Sequence, residues 1–446
     1  MALNSADLAH LLRRTEYVAK PARVTELLGL ATTSQQIDNV LDFTQNGAPT
    51  LPAYLTYHDE DNGWEQFEFA YAWWLDNMRT RPRPMQEKMT MFWHGHFTSS
   101  WWDGINRADH MMHQNQLYRT QALGNFRTLT QAMALEPAML VYLNNADNRK
   151  GSPNQNFARE LMELFTLGVG NYTEDDVEAA ARAWTGHNAD WPAYNYQFVL
   201  DRHDTGQKTF FGTRKDWDGP DIIDEILRDN TGLRLIAAQY ITKKLWDFFA
   251  YPGGPAAVIN ELADVFIAAN LELKPLLKAL LSHAEFYSTA AKQGLVRTPT
   301  DWLVALSYYT GITGDDLGGS WQGDRMGQAL YNPPNVAGWK HNAYWLNTGA
   351  VSARAGVARG ITWRLRQDPD GGGPLPTGFD NLHAMTPAAA VDYVAGYFGI
   401  APLSTATRTA LIAAHQAERS AQAWESWWAP TNLLTMAMLA PEMHMA

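Results

Sequence analysis

The sequence Asn-Gln-Asn-Phe-Ala-Arg-Glu-Leu-Met-Glu-Leu-Phe-Thr-Leu-Gly-Val-Gly at 154–170 spaces its apolar and polar residues as an α-helix does. On a helical wheel of roughly 100° per residue, one arc carries the apolar side chains Phe157, Leu161, Leu164 and Phe165. An arc of about 100° on the other side carries the polar side chains Asn156, Arg159, Glu160 and Glu163. The pattern predicts a short amphipathic helix with two carboxylates, a guanidinium and an amide on one face.

This polar face allows two interpretations. Carboxylates three residues apart on a helix have Cβ atoms roughly 5–6 Å apart, and a nearby guanidinium lowers a carboxyl pKa whereas burial and a second carboxylate raise it. Glu160 and Glu163 are therefore candidates for a general acid and base, with Arg159 keeping one of them ionised and Asn156 binding substrate. Alternatively, the face is a solvated surface with an Arg159–Glu163 ion pair.

The same apolar spacing of three and four residues recurs along the chain and predicts a mainly α protein. We expect one large multi-helical domain over 1–367, a Gly- and Pro-rich loop at 368–380 and a helical segment at 381–446 that packs on the main domain. The predicted helices include 84–97, 154–167 and 255–291. The exception is 194–217, where aromatic stretches flank polar residues and predict a small β-hairpin insertion.

The composition excludes several classes of protein. Of the 446 residues, 47 are acidic and 35 basic, for a net charge of −12, so a nucleic-acid backbone would be repelled. The absence of cysteine excludes disulfides, thiolate metal sites and a cysteine nucleophile. No stretch reaches the roughly 18 apolar residues that a membrane span requires. Asp7 and His10 interrupt the region where a signal peptide would be apolar, so the chain as given is expected to be cytoplasmic.

Two histidines in the predicted helix at 84–97 are candidate metal ligands. His96 continues an apolar stripe, whereas His94 points to the opposite side. The two rings can bind one ion only if the helix ends by Gly95, because a helical pair needs a spacing of three or four residues. Otherwise His96 is a core histidine or the axial ligand of a haem.

Two further segments carry candidate residues. His203 and Asp204 lie in the polar turn between the aromatic stretches 194–200 and 209–212, where they either shape an Asx-type turn or act in catalysis from a loop held by two strands. Trp339 and Trp345 follow a Pro-Pro turn. They serve either as stacking platforms for substrate or as anchors of that loop to the core.

Several blocks in order resemble the large bacterial family catalogued as domain of unknown function eighteen-hundred. The blocks lie at 87–100, 123–145, 153–187, 203–212 and 326–339. The resemblance implies one predominantly helical domain in which the blocks fold toward each other, and it assigns no activity. Family members commonly read His-Asn-His-Phe where this chain has His-Gly-His-Phe, carry Glu at Gln155 and carry His at Phe165. The resemblance therefore implies that any metal site shared by relatives is altered here.

Two enzyme classes and one non-enzymatic role remain. The preferred hypothesis is a carbohydrate-active hydrolase with paired carboxylates acting on a small-molecule or glycan substrate. The first alternative is a metal- or haem-dependent oxidoreductase with His96 as ligand, and the second is a helical scaffold whose polar cluster braces the core. An enzyme is favoured because polar residues at positions that suit core packing tend to mark functional sites. The sequence leaves the cofactor and the oligomeric state unassigned.

Overall fold

The computed structural model describes residues 2–47, 50–190, 193, 195–228, 232–365, 379, 381–420 and 428–446. Nearly all of the predicted loop at 368–380 lies outside the described residues. The described chain is mainly helical with two small strand pairs, which confirms the predicted fold class.

The α-helices of the first half are α1 Ser5–Thr15, α2 Pro21–Leu28, α3 Thr33–Val40, α4 Gly63–Thr80, α5 Met85–His96, α6 Ala108–Thr120, α7 Phe126–Ala134, α8 Pro137–Tyr142, α9 Asn156–Glu160 and α10 Glu174–Ala183. Those of the second half are α11 Gly219–Leu227, α12 Gly232–Phe249, α13 Ala256–Ala268, α14 Leu273–Ser282, α15 Pro299–Thr310, α16 Ser320–Arg325, α17 Thr348–Leu365, α18 Pro387–Tyr397, α19 Thr405–Arg419, α20 Ala429–Met438 and α21 Pro441–His444. Wider turns of π-helical spacing occupy Trp101–Ile105 and Leu161–Thr166. None of the described helices is long and apolar enough to cross a lipid bilayer.

The stretch at 154–170 forms the amphipathic helix that its spacing predicts. Helix α9 continues directly into the wider turn Leu161–Thr166. On the apolar side, Phe157, Leu161 and Phe165 are buried, whereas the polar residues opposite them are exposed or half-buried. The apolar face thus anchors the helix to the core and leaves its polar face available to a site.

A small β-hairpin lies within the predicted region 194–217, which confirms the insertion, but its strands are not the two predicted stretches. Strand β1 (His187–Ala189) pairs with β2 (Tyr196–Phe198), and β3 (Lys208–Phe210) pairs with β4 (Thr213–Lys215), both antiparallel. The stretches at 194–200 and 209–212 therefore do not pair with each other as predicted. The reason is the two-residue turn after β3, where Phe211 and Gly212 have φ of 44° and 78°. Such a turn closes a strand onto the strand that follows it.

The buried side chains form two hydrophobic cores, and α5 contributes to both. The first core is built mainly from α1–α3, α7 and α9–α14, and the second mainly from α4, α15 and α17–α20. Met89 and Trp93 of α5 belong to the first core, whereas Met91 belongs to the second. Both faces of α5 are consequently buried, so its two histidines are surrounded by protein. Helices α18–α20, from the segment predicted at 381–446, help to build the second core.

Candidate functional site

An open polar cleft of about 830 Å³ lies on the described part of the chain. It lies between the end of α8, the start of α9, the β1–β2 pair and the loop at 334–336. Its acidic and amide lining residues are Asp103, Asp147, Asp190, Asn144, Asn156, Asn188, Gln197 and Asn335. Tyr142 and Arg202 also line it. Three carboxylates against one guanidinium make the cleft acidic, which disfavours anionic substrates.

The segment Asn144-Asn-Ala-Asp-Asn148 builds one wall of this cleft. Asn144 has the left-handed φ of 59° that asparagine tolerates better than most residues. The buried Asn145 amide donates to the carbonyl oxygens of Trp184 and His187 at 3.2 and 2.8 Å, and Asn148 donates to that of Ala181 at 2.9 Å. These bonds fix the wall to α10 and β1.

Glu160 of the predicted carboxylate pair does not itself line the cleft, but it belongs to the same helix as the lining residue Asn156. It follows Asn156 by one helical turn and so shares its face. Burial, Asp103 and Glu160 together raise the pKa of the Tyr142 hydroxyl to about 12, so both carboxylates act electrostatically on this cleft residue. Burial and then Glu163 raise the pKa of Glu160 above its ordinary value, while Arg159 opposes them. Glu160 is thus a carboxyl group that resists ionisation.

Arg159 and Glu163, predicted to act with Glu160, have partners of their own. Two nitrogens of Arg159 each lie 2.7 Å from a carboxylate oxygen of the exposed Glu174, in a bidentate ion pair between α9 and α10. Glu163 accepts a hydrogen bond from the Tyr172 hydroxyl. Neither Arg159 nor Glu163 lines the cleft, and the sequence could not show this because both partners lie beyond the helix.

His203 and Asp204 do not line the cleft either. The buried His203 places Nδ1 2.7 Å from the Thr185 carbonyl oxygen. Asp204 accepts from the Arg182 guanidinium at 2.7 Å, and this bond holds the pKa of Asp204 below its ordinary value. Their contacts attach the segment after β2 to the end of α10, which corresponds to the structural interpretation of this turn.

Sequence reasoning missed His187, the first residue of β1. Its Nε2 lies 2.9 Å from Asp218 Oδ1 and its Nδ1 lies 3.1 Å from the Tyr196 hydroxyl. The ring is buried, and the two residues that follow it, Asn188 and Ala189, line the cleft. His187 therefore positions the strand that forms the cleft wall. Its partner Asp218 lies 31 residues away, beyond the reach of any local pattern.

His94 and His96 do not converge on a common point. Helix α5 continues through Gly95 to His96, so the condition for joint metal binding is not met. The Nε2 atom of His94 accepts a hydrogen bond of 3.1 Å from the Tyr331 backbone N–H, and burial lowers the pKa of His94 to about 3. Across the described ranges, no group of three or more His, Asp and Glu side chains is arranged to hold a metal ion.

His96 makes two hydrogen bonds inside the protein. Its Nε2 lies 3.1 Å from the Phe165 carbonyl oxygen and its Nδ1 lies 2.8 Å from Lys244 Nζ. A carbonyl only accepts, so Nε2 carries the proton and Nδ1 accepts from the lysine. Burial and Lys244 lower the pKa of His96 well below its ordinary value, against the opposing bond to Phe165. His96 is consequently a neutral residue that orients Lys244.

The two tryptophans predicted as stacking platforms are buried. Trp345 has no exposed surface, and Trp339 retains 4%. Trp339 packs on His94 with ring centroids 5.2 Å apart, so both residues act as anchors in the described conformation. An exposed stacked pair is formed instead by Trp64 and Trp102, 54% and 40% exposed, with ring centroids 5.8 Å apart. Trp102 immediately precedes Asp103 of the cleft.

A family model described as "protein of unknown function (DUF1800)" matches residues 10–445. The chain belongs to this family. No curated protein and no solved structure matches the chain. In this DUF1800 protein, the block at 87–100 contacts the block at 153–187 through His96 and Phe165 and the block at 326–339 through His94 and Tyr331. The Phe165 ring lies 6.0 Å from the His96 ring and offers no metal ligand.

The charge on Lys244 gives a testable prediction for the stability of this DUF1800 protein. Burial lowers the pKa of Lys244 from its ordinary value of 10.5 to about 8. Below pH 8, Lys244 is charged in both the folded and the unfolded state, so folding carries the full free-energy cost of burying this charge. Between pH 8 and 10.5 only the unfolded state stays protonated, and the cost declines. We expect Lys244→Met to raise the free energy of unfolding at neutral pH by up to about 3 kcal/mol.

Urea unfolding at pH 7 and pH 10 measures this effect. Most of the gain should be lost by pH 10, because the folded wild-type protein is then largely neutral at Lys244. The control is Lys274→Met, which removes a charge from an exposed lysine and should change stability little at either pH. A Lys244→Met protein that is less stable than wild type at pH 7 would contradict the prediction.

Proposed function

We propose that this DUF1800 protein is a carbohydrate-active hydrolase that works in the polar cleft, with Glu160 as general acid and Asp103 as general base. The observation that supports the proposal is that Asp103, which lines the cleft, and Glu160 both act electrostatically on the cleft residue Tyr142, while the pKa of Glu160 is raised. Sequence reasoning paired Glu160 with Glu163, but Glu163 is bonded to Tyr172.

The lining of the cleft supports a polyhydroxylated substrate. Amide and carboxylate side chains donate and accept the hydrogen bonds that sugar hydroxyls require, and eight such residues line the cleft: Asp103, Asp147, Asp190, Asn144, Asn156, Asn188, Gln197 and Asn335. Trp102, which immediately precedes Asp103, stacks on Trp64, and both rings are exposed. Aromatic rings of this kind stack on the apolar faces of sugar rings.

The proposed reaction divides the work between the two carboxyl groups. Glycoside hydrolysis requires one protonated and one ionised carboxyl group, about 5–9.5 Å apart. Glu160 donates its proton to the glycosidic oxygen as the bond from that oxygen to the anomeric carbon breaks. Asp103 takes a proton from the water molecule that attacks the anomeric carbon. Glu163 assists by raising the pKa of Glu160, so that the acid remains protonated at higher pH.

A panel of oligosaccharides and polysaccharides, with released reducing ends as the readout, tests the proposal. On any glycan that is cleaved, we expect Glu160→Gln and Asp103→Asn each to lower kcat by about 10²–10⁴-fold. The matched controls, Glu178→Gln and Asp175→Asn, change exposed residues of α10 outside the cleft and should leave kcat within twofold. Near-wild-type turnover by Glu160→Gln, or no cleavage anywhere on the panel, would refute the proposal.

The pH profile provides a second readout for the same assignment. Because Glu163 raises the pKa of Glu160, Glu163→Gln should move the alkaline limb of kcat to lower pH while preserving activity at its optimum. A purely structural role for Glu163 would lower kcat at all pH values without moving that limb.

The oxidoreductase alternative gains no support from the geometry around His96. Both ring nitrogens of His96 are engaged, one with the Phe165 carbonyl and one with Lys244. An axial ligand must leave one nitrogen free to bind iron. The hydrolase is therefore the function that the arrangement of side chains favours.

A further inference from the structure

A second cavity lies beside α5 and α12 and shares no lining residue with the polar cleft. It has a volume of about 110 Å³ and adjoins a smaller one of about 30 Å³. The two share the wall residues Asp247, Phe248, Thr298, Asp301 and His341. Lys244 lines the larger cavity, and Arg14 and Lys88 line the smaller one.

The charges around the two cavities do not balance. Asp301 is paired with Lys88, and Asp247 is paired with Lys243 at 2.5 Å. Lys244 has no carboxylate within ion-pair distance among the described residues, and its hydrogen-bond partner is the neutral His96. A positive charge that faces a cavity without a counter-ion is unfavourable.

Arg14, in the wall of the smaller cavity, is a second cation whose donors are not all satisfied. It is 2% exposed, and its Nη2 donates to the Ala291 carbonyl oxygen at 2.5 Å. Its Nε and Nη1 atoms have no hydrogen-bond partner in the part of the chain that the structure describes. Buried donors of this kind are normally satisfied. Asp301, already paired with Lys88, is the carboxylate that acts electrostatically on Arg14. Two cations without an ion-pair partner of their own among the described residues, on adjoining walls, point to a bound anion.

The other side chains that line the larger cavity indicate the chemical character of the ligand beyond its charge. They include the apolar side chains of Met91, Phe92, Phe248 and Trp339. A strongly hydrated dianion would lose its water on entering this cavity, and the apolar walls offer few hydrogen-bond donors in return. A monoanion with a short apolar body would match both the cationic and the apolar walls. We propose that this cavity binds a small monocarboxylate. Its carboxylate contacts Lys244 on the side of the cavity that faces Arg14, and its apolar body packs against Met91 and Phe248.

Isothermal titration of the full chain with butyrate and benzoate, and with butyramide and benzamide as neutral isosteres, tests the proposal. We expect saturable binding of at least one of the two acids and at least tenfold weaker binding of its amide. Lys244→Met should weaken binding of the acid at least tenfold, whereas the exposed Lys274→Met, which does not line the cavity, should leave the Kd unchanged.

Three results would overturn the proposal. Equal affinity for an acid and its amide would show that the charge is not recognised, and unchanged binding by Lys244→Met would show that the acid binds elsewhere. Binding of inorganic phosphate without binding of either acid would assign the cavity to a different anion. The comparison of acid with amide uses the wild-type protein alone, so it decides the question even if Lys244→Met fails to fold. None of these results depends on glycan cleavage.

Discussion

Glu87→Leu is expected to remove about 3–5 kcal/mol from the free energy of unfolding. The Glu87 carboxylate has no exposed surface and accepts from Trp74 Nε1 at 2.9 Å, from Arg81 at 2.8 Å and from Arg119 twice at 2.8 Å. Leucine would leave two buried guanidinium groups without a counter-ion. Chemical denaturation of the purified variant measures the loss.

Two comparisons establish that charge, and not shape, is responsible. Glu87→Gln keeps the shape and an acceptor oxygen, and we expect it to destabilise the protein less than leucine does. The exposed Glu65→Gln on α4 should change stability by less than about 0.5 kcal/mol. A Glu87→Leu protein as stable as wild type would show that Arg81 and Arg119 find other partners.

The same cluster predicts sensitivity to acid. Burial alone would raise the pKa of Glu87, but Arg119 and Arg81 outweigh burial and hold its pKa below the ordinary value of 4.5. The stabilisation is therefore complete above pH 4.5 and is lost as the pH falls through the lower pKa of the folded state. Glu87→Gln should consequently show a smaller loss of stability with acid than wild type below that pH.

Gly338→Ala is expected to displace the loop that carries Trp339 and to lower the melting temperature markedly. Gly338 has a φ of 77°, and a Cβ there would lie 2.3 Å from the Gly95 carbonyl oxygen, a backbone atom of α5. Neither backbone can retreat easily, because α5 lies between the two cores and Trp339 packs on His94. We expect a loss of about 3 kcal/mol or more, from backbone strain and overpacking together.

Gly311→Ala is the matched control for this change. Gly311 also has a positive φ, 74°, at the end of α15, but a Cβ there would meet nothing within 4 Å. The control should therefore report backbone strain alone, about 1–2 kcal/mol. Equal losses in the two variants, measured by thermal unfolding, would contradict the proposed clash between the Trp339 loop and α5.

Local patterns account for much of the fold. The spacing at 84–97 predicts α5, and the stretch at 154–170 does form a helix that buries its apolar face. The predicted helix at 255–291 is interrupted because Asn270 and Leu271 take φ of 53° and 62° between α13 and α14. Apolar spacing continues across this break, so periodicity alone could not reveal it.

The candidate sites depended far more on distant contacts. The sequence indicated Glu160, Asn156 and His96 as residues of interest, but it could not show that Lys244, 148 positions from His96, donates to that ring. It also left open whether Trp339 and Trp345 are platforms or anchors. Burial decides that question, and burial is a property of the packed chain.

The helical class, the amphipathic face at 154–170 and the blocks that match the family could all be predicted from the order of the residues alone. Those features arise from side-chain spacing within one or two turns of helix, where geometry is set by the backbone. Packing alone established that Arg159 pairs with Glu174, that Asp103 and Glu160 both act electrostatically on Tyr142, and that Lys244 has no carboxylate within ion-pair distance among the described residues. These relations join residues from separate helices and turns, and they exist only because packing of the two cores brings those elements together.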